Sequence, residues 1–90
     1  MNKTNRTAEA EKILREAVKM RTEHLPREHF LSAFSISALG ECLATEKKFA
    51  EAEPLLRESY ESLKNSQGEN NPRTILAYNR LVRLKEQLNR

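Results

Sequence analysis

The phrase AEAEKILRE occupies residues 8–16, and AEAEPLLRE occupies residues 50–58. Seven of the nine positions are identical, and the two copies lie 42 residues apart without a gap. The same 42-residue register pairs Ser32 with Thr74 and Leu39 with Leu81. A fixed period of this length is typical of tandem units that bury a core only by stacking on one another.

The composition of the 90-residue chain favours one small helical domain. Only two glycines and three prolines are present, and 38% of the residues are hydrophobic while 32% are charged. This balance is typical of long helices rather than of sheets with many turns. The sequence contains neither an apolar run of about 20 residues nor a start that resembles a signal peptide, so we expect a cytoplasmic protein with no membrane partner.

Apolar residues recur at spacings of three and four along four segments, which predicts an all-α fold of four antiparallel helices. The predicted helices span residues 8–24, 28–46, 50–66 and 72–88. Residues 1–7 are predicted to form a flexible N-terminus. The link at Lys47-Lys48 is short enough to force a helical hairpin, and Asn71-Pro72 offers an N-cap followed by proline at the first helical position.

The apolar stripe of the last predicted helix defines the face that it is expected to bury. Residues at helical spacing along 72–88 form this stripe: Ile75, Tyr78, Leu81, Val82 and Leu88.

A family resemblance rests on residues 38–59, ALGECLATEKKFAEAEPLLRES, which look like one tetratricopeptide repeat. The 42-residue period, with GENNPRT between helices, is similar to the long repeats of kinesin light chains and of many bacterial multidomain proteins. The resemblance implies a solenoid in which first-type and second-type helices alternate. On that basis 8–24 is a second-type helix of a partial repeat, 28–66 is a complete repeat, and 72–88 is the first helix of another partial repeat. Gly40 is expected to let the partner helix approach closely.

The resemblance also implies a protein-interaction module or scaffold that binds a peptide or a subunit. In tetratricopeptide arrays the first-type helices line a concave groove, and Asn79 matches an asparagine that contacts bound peptide in the long-repeat family. Two polar rows are the implied binding residues, namely Ser37, Glu41, Thr45, Asn79, Arg83 and Gln87. Glu41 and Arg83 occupy equivalent places on neighbouring helices, so a mutual ion pair is an alternative to a role in binding.

Residue types that carry chemistry are scarce. The sequence has no Asp, no Gly-rich phosphate loop and no nucleophile beside an evident base, so we predict neither enzyme activity nor a cofactor. His24 and His29 flank a predicted helix break and are expected to be helix-end residues rather than metal ligands. Glu11 with Arg15 and Glu53 with Arg57 are predicted to be ordinary surface pairs.

Three further interpretations stay open at this stage. Residues 73–90 carry a net charge of +4, so a basic nucleic-acid-associated module using Arg73, Arg80, Arg83 and Arg90 is the alternative function. The solenoid ends are expected to expose apolar surface, which predicts self-association through the terminal helices. The chain is also compatible with being a segment of a longer protein.

Overall fold

The computed structural model describes residues 3–89, with side chains from Thr7 onward. This part of the chain is all-α, as predicted, and none of its helices is long and apolar enough to cross a membrane. The four helices are α1 (Lys3–His24), α2 (Phe30–Thr45), α3 (Phe49–Gln67) and α4 (Pro72–Leu88).

The helix ends differ from the predicted ones mainly at α1 and α2. Helix α1 begins at Lys3, five residues before the predicted start, while residues 1 and 2 lie outside the described part. The flexibility of residues 1–7 stays a prediction. No Gly or Pro interrupts residues 3–7, and the helix therefore continues through them. Helix α2 begins at Phe30 because His29 caps it, with Nδ1 accepting from the Leu31 N–H at 3.2 Å. The two histidines thus lie at helix ends.

The helices stack in chain order. Helix α1 packs on α2, α2 on α3 and α3 on α4, and α2 also contacts α4. Helix α2 is the central element and buries residues on several sides, whereas no described residue of α1 is fully buried. The main core cluster joins α2, α3 and α4 through Leu39, Leu43, Ala52, Leu56, Leu81 and Leu84.

The closest approach between helices occurs where α2 meets α3. A Cβ atom added to Gly40 would lie 2.8 Å from both Cγ and Cδ2 of Leu56, and 3.4 Å from Cβ of Leu55. Any side chain at this position would overlap Leu56. The close approach expected from the small residue is therefore confirmed.

The turn between α2 and α3 contains a residue in the left-handed region. Lys47 has φ 64°, and its N–H donates to the carbonyl of Ala44 at 2.9 Å. The Lys48 N–H donates to the carbonyl of Leu43, also at 2.9 Å. These bonds close the end of α2 and reverse the chain, so that α3 runs back along α2.

The buried face of α4 differs from the predicted stripe. Helix α4 buries Leu81 as expected, but its other buried residues are Thr74, Ala77 and Leu84. The larger apolar residues of the predicted stripe, Ile75, Tyr78 and Leu88, are exposed. The reason is that α4 packs on α3 and α2 with one side, so its second apolar side is largely uncovered, although the ring centre of Tyr78 lies 5.4 Å from that of Tyr60 on α3.

Candidate functional site

The contact between α2 and α4 is organised by Arg80. Its Nε donates to Glu41 Oε2 at 3.1 Å, and its Nη1 donates to Ser37 Oγ at 3.0 Å. Only 12% of the Arg80 side chain is exposed. Charge-assisted hydrogen bonds of this kind are stronger than neutral ones, so Arg80 fixes the two helices side by side. We call the surface around this contact the α2–α4 face.

A cavity of about 140 Å³ opens on this face. It collects side chains from both helices, including four of the six predicted binding residues: Glu41, Thr45, Arg83 and Gln87. The polar rows of the two helices therefore meet in one place, as the predicted spacing of four residues requires.

The other two predicted binding residues do not line the cavity. Ser37 has no exposed surface and accepts the hydrogen bond from Arg80, so it is not accessible on this face and its contact with a partner stays a prediction. Its small hydroxyl lies beneath the arginine rather than beside open space. Asn79 is exposed but lies outside the lining of the cavity.

The predicted alternative, a mutual ion pair between Glu41 and Arg83, is only partly realised. Arg83 Nη1 lies 3.8 Å from Glu41 Oε2, whereas Arg80 Nε lies 3.1 Å from the same oxygen. Glu41 therefore mainly neutralises Arg80. The Arg83 side chain is 65% exposed, which leaves most of its donors free to meet another molecule.

Aromatic residues next to the arginines were missed by the sequence analysis. The Arg73 guanidinium lies 5.4 Å from the ring centre of Phe30 and 5.7 Å from that of Phe34, and Arg80 lies 5.6 Å from Phe34. Cation–π contacts of this length hold the guanidinium planes over the rings. Phe30 and Phe34 are four residues apart on α2, and Arg73 and Arg80 are seven residues apart on α4, so each pair lies on one side of its helix. This spacing was the signal from which a contact between the two pairs could have been predicted.

The α2–α4 face carries a surplus of positive charge. Arg73, Arg80 and Arg83 lie on it, and Glu41 is the acidic side chain that pairs with two of them. Arg73 makes no ion pair within residues 3–89. The face is therefore suited to attract a carboxylate or another anionic group.

Several titratable groups with perturbed pKa values lie away from the α2–α4 face, where α1 meets the turn between α2 and α3. Side-chain hydrogen bonds lower the pKa of Glu11 to about 2, and the bond from Arg15 has the largest effect, followed by those with Glu46 and Lys48. The hydrogen bond with Glu11, together with burial, raises the pKa of Glu46. Arg15 also reaches Glu51 of α3 at 3.0 Å. This network joins α1 to the α2–α3 hairpin, and we call it the α1 junction.

Neither location holds a recognisable reaction centre or metal site. Across residues 3–89, no three His, Cys, Asp or Glu side chains are grouped closely enough to hold a metal ion. Cys42 is buried, and its burial raises the pKa of the thiol, which disfavours the reactive thiolate. The arrangement on the α2–α4 face offers binding groups, not a nucleophile with a base.

The stacked helices and their 42-residue register define a helical-repeat protein of the solenoid class. Residues 2–31 match the family model described as tetratricopeptide repeat, which covers α1, the link and the first two residues of α2. This match covers a third of the chain, which is therefore similar over that stretch to a family that generally mediates protein–protein interactions. No curated protein and no solved structure gave a significant match.

Proposed function

We propose that this protein is a non-catalytic interaction module that binds a peptide segment of a protein partner across the α2–α4 face. The observation that carries the proposal is the position of Arg83, which is largely exposed at the cavity while its neighbour Arg80 is already neutralised by Glu41. An exposed guanidinium beside a preformed cavity is a specific anchor for a peptide oxygen.

The chemistry of the face favours a peptide that combines acidic and apolar residues. Arg73 has no carboxylate partner among residues 3–89 and Arg83 has only the long contact with Glu41, so both supply cationic donors. Phe30 and Phe34 supply half-buried rings beside Arg73. A carboxylate of the peptide would pair with an arginine while an adjacent apolar side chain packs on a ring. Rigid helices keep these groups in place, which reduces the entropy lost on binding.

The experiment begins with a library of displayed random peptides selected on the immobilised protein. Peptides that survive selection are then measured by fluorescence anisotropy against wild type and Arg83→Ala. We expect Arg83→Ala to weaken binding at least tenfold, which corresponds to about 1.4 kcal/mol. Selected peptides are expected to be enriched in Asp and Glu.

Arg57→Ala is the matched control, because Arg57 is an exposed arginine on α3 that pairs with Glu53 at 2.9 Å and lies off the α2–α4 face. Its affinity is expected to equal that of wild type. Equal affinity of the Arg83→Ala variant would contradict the proposal. Tight, strongly salt-dependent binding of a single-stranded oligonucleotide, with no selected peptide, would instead favour the nucleic-acid alternative.

A further inference from the structure

Two exposed apolar faces lie at opposite ends of the helix stack. On α1, Ile13 is 64% exposed and Met20 is 61% exposed. On α4, Ile75 is 46% exposed and Tyr78 is 50% exposed. Because each pair follows helical spacing, each forms one stripe rather than scattered surface residues. We call these surfaces the α1 end face and the α4 end face.

The 42-residue register relates the α4 end face to a surface that is buried in α2. Ile75, Tyr78 and Val82 stand in register with three α2 residues, and all three of those residues are buried: Ala33, Ile36 and Gly40. Within the chain, Gly40 lies directly against Leu55 and Leu56 of α3. The α4 end face is therefore the surface on which a helix equivalent to α3 would dock.

The same register shows that α1 is that equivalent helix. Leu55 and Leu56 of α3 correspond to Ile13 and Leu14 of α1, within the repeated phrase. Ile13 is exposed because no described helix lies against that side of α1. The two end faces are thus the two halves of one contact, separated onto opposite ends of the molecule.

We propose that two copies of this chain associate head to tail, with the α1 end face of one molecule docked on the α4 end face of the other. The contact repeats the internal packing of α2 against α3, and it covers both apolar stripes at once. Such a heterologous contact leaves one free end face on each outer molecule, so that longer chains form as concentration rises.

Charge favours this arrangement. Glu9, Glu16 and Glu23 recur every seven residues along one border of the α1 end face, and none of them makes an ion pair within residues 3–89. The register places Lys85 of α4 where Leu43 stands in α2, and it places Ala10 of α1 where Ala52 stands in α3. Leu43 and Ala52 belong to one core cluster, so Lys85 of one molecule would lie near Ala10 of the other. Lys85 would then pair with Glu9, which is next to Ala10.

The symmetric alternative, α1 packed antiparallel on α1 of a second copy, is electrostatically unfavourable. A two-fold axis between the helices places the same border of each helix on the same side. The row that contains Glu16 would therefore face its own copy, and like charges at this spacing repel. The head-to-tail pairing avoids this repulsion.

The contact is expected to be weaker than its internal counterpart. Val82 of α4 occupies the register position of Gly40, and Leu14 of the second molecule occupies that of Leu56. A side chain at the position of Gly40 would meet this leucine. Leu14 of the second molecule must rotate, or the helices must lie slightly farther apart. We therefore expect association at high micromolar concentration, in the range of weak and transient contacts.

The test uses Ile13→Glu and Ile75→Glu in analytical ultracentrifugation, with concentrations up to about 1 mM. Wild type is expected to gain mass with concentration, and each variant alone is expected to stay monomeric. An equimolar mixture of the two is expected to form dimers and nothing larger, because one intact α4 end face and one intact α1 end face remain. Both residues are exposed, and circular dichroism verifies that each variant is folded.

Leu88→Glu is the matched control, since Leu88 is an exposed apolar residue of α4 outside the α4 end face, and it is expected to associate like wild type. Charge reversal tests the register: Glu9→Lys and Lys85→Glu should each weaken association, and mixing the two should restore association to the wild-type level, because every contact between unlike molecules then joins opposite charges. Monomeric wild type at all concentrations overturns the proposal and assigns the faces to a different occupant. Self-association of Ile75→Glu alone also overturns it, because only a symmetric α1 contact survives that change.

Discussion

Helices α1 and α3 contain the same phrase but have different surroundings. Leu56 of α3 is fully buried, whereas Leu14, at the same place in α1, is half-buried. Ala52 is likewise buried, and its counterpart Ala10 is not. Helix α3 packs between α2 and α4, whereas the backbone of α1 packs closely only on α2 and α1 reaches α3 through the ion pair of Arg15 with Glu51. The comparison teaches that the phrase specifies which residues are able to pack, and that the neighbouring helices decide how much of this capacity is used.

Truncating the paired leucines gives the largest expected difference between the two helices. Leu56→Ala is expected to lower the free energy of unfolding by about 2–5 kcal/mol, because it leaves a cavity in the core. Leu14→Ala is expected to cost about 1–2 kcal/mol, since part of the side chain is already in water. Urea unfolding followed by circular dichroism measures both.

If Leu56→Ala does not fold at all while Leu14→Ala does, the expected larger loss of stability at Leu56 is met as well. Equal losses for the two variants would show that α1 is as well packed as α3. That result would also remove the distinction between the central and terminal helices.

The close approach at Gly40 gives the second largest expected effect. Gly40→Ala is expected to lower the free energy of unfolding by about 1–3 kcal/mol, because the added methyl group overlaps Leu56. Alanine favours helices, which offsets a part of this loss. Val82 occupies the same register position on α4 and is half-buried, so Val82→Ala should cost about 0.5 kcal/mol. A stabilised Gly40→Ala variant would mean that Leu56 or the two helices can shift at little cost to admit the methyl group.

Much of this fold is predictable from the sequence because it depends on short-range rules. Helical spacing and Pro72 with its cap Asn71 located α4 to the residue, and the repeated phrase identified α1 and α3 as equivalent. The face that α4 buries was not predictable in the same way. Ile75 and Leu84 are both apolar and at helical spacing, and only the positions of α2 and α3 decide that Leu84 is buried while Ile75 is not.

The candidate site shows the same limit. A spacing of four residues correctly grouped Glu41, Thr45, Arg83 and Gln87 at one cavity. It could not show that Arg80 turns inward to bind Glu41 and thereby covers Ser37. The direction taken by a long arginine side chain depends on which acceptors the packed helices bring within reach, and a single sequence does not contain that information.

The acidic residues of the phrase give the smallest expected effect. Glu11 belongs to the α1 junction with Arg15 and Lys48, whereas its counterpart Glu53 pairs with Arg57 alone. Glu11→Gln is expected to cost about 0.5–1 kcal/mol at pH 7, and Glu53→Gln about 0.3 kcal/mol. Thermal or urea unfolding across a pH series measures both variants.

The pH dependence has a defined sign. Because the pKa of Glu11 is lowered to about 2, its stabilising pairs are present above its unfolded pKa and are lost as pH falls toward 2. The pKa of Glu46 is raised, so its contribution has the opposite sign and diminishes as pH rises through that pKa. Glu11→Gln should therefore flatten the stability profile at low pH, and Glu46→Gln should raise stability at pH 7. An unchanged acid profile in Glu11→Gln would contradict the role of the α1 junction.

The position of α1 at the end of the stack, with close backbone packing on α2 alone, affects how readily this helix detaches. A helix that packs on one neighbour detaches at a lower free-energy cost than global unfolding. Cys42 lies beneath its first turns, where the Sγ atom donates to the carbonyl of Thr7 at 3.4 Å. The thiol is therefore protected while α1 is docked and becomes accessible each time the helix lifts from α2. The rate at which Cys42 reacts with a thiol reagent then reports how often this solenoid opens at its first helix, while α2, α3 and α4 remain folded.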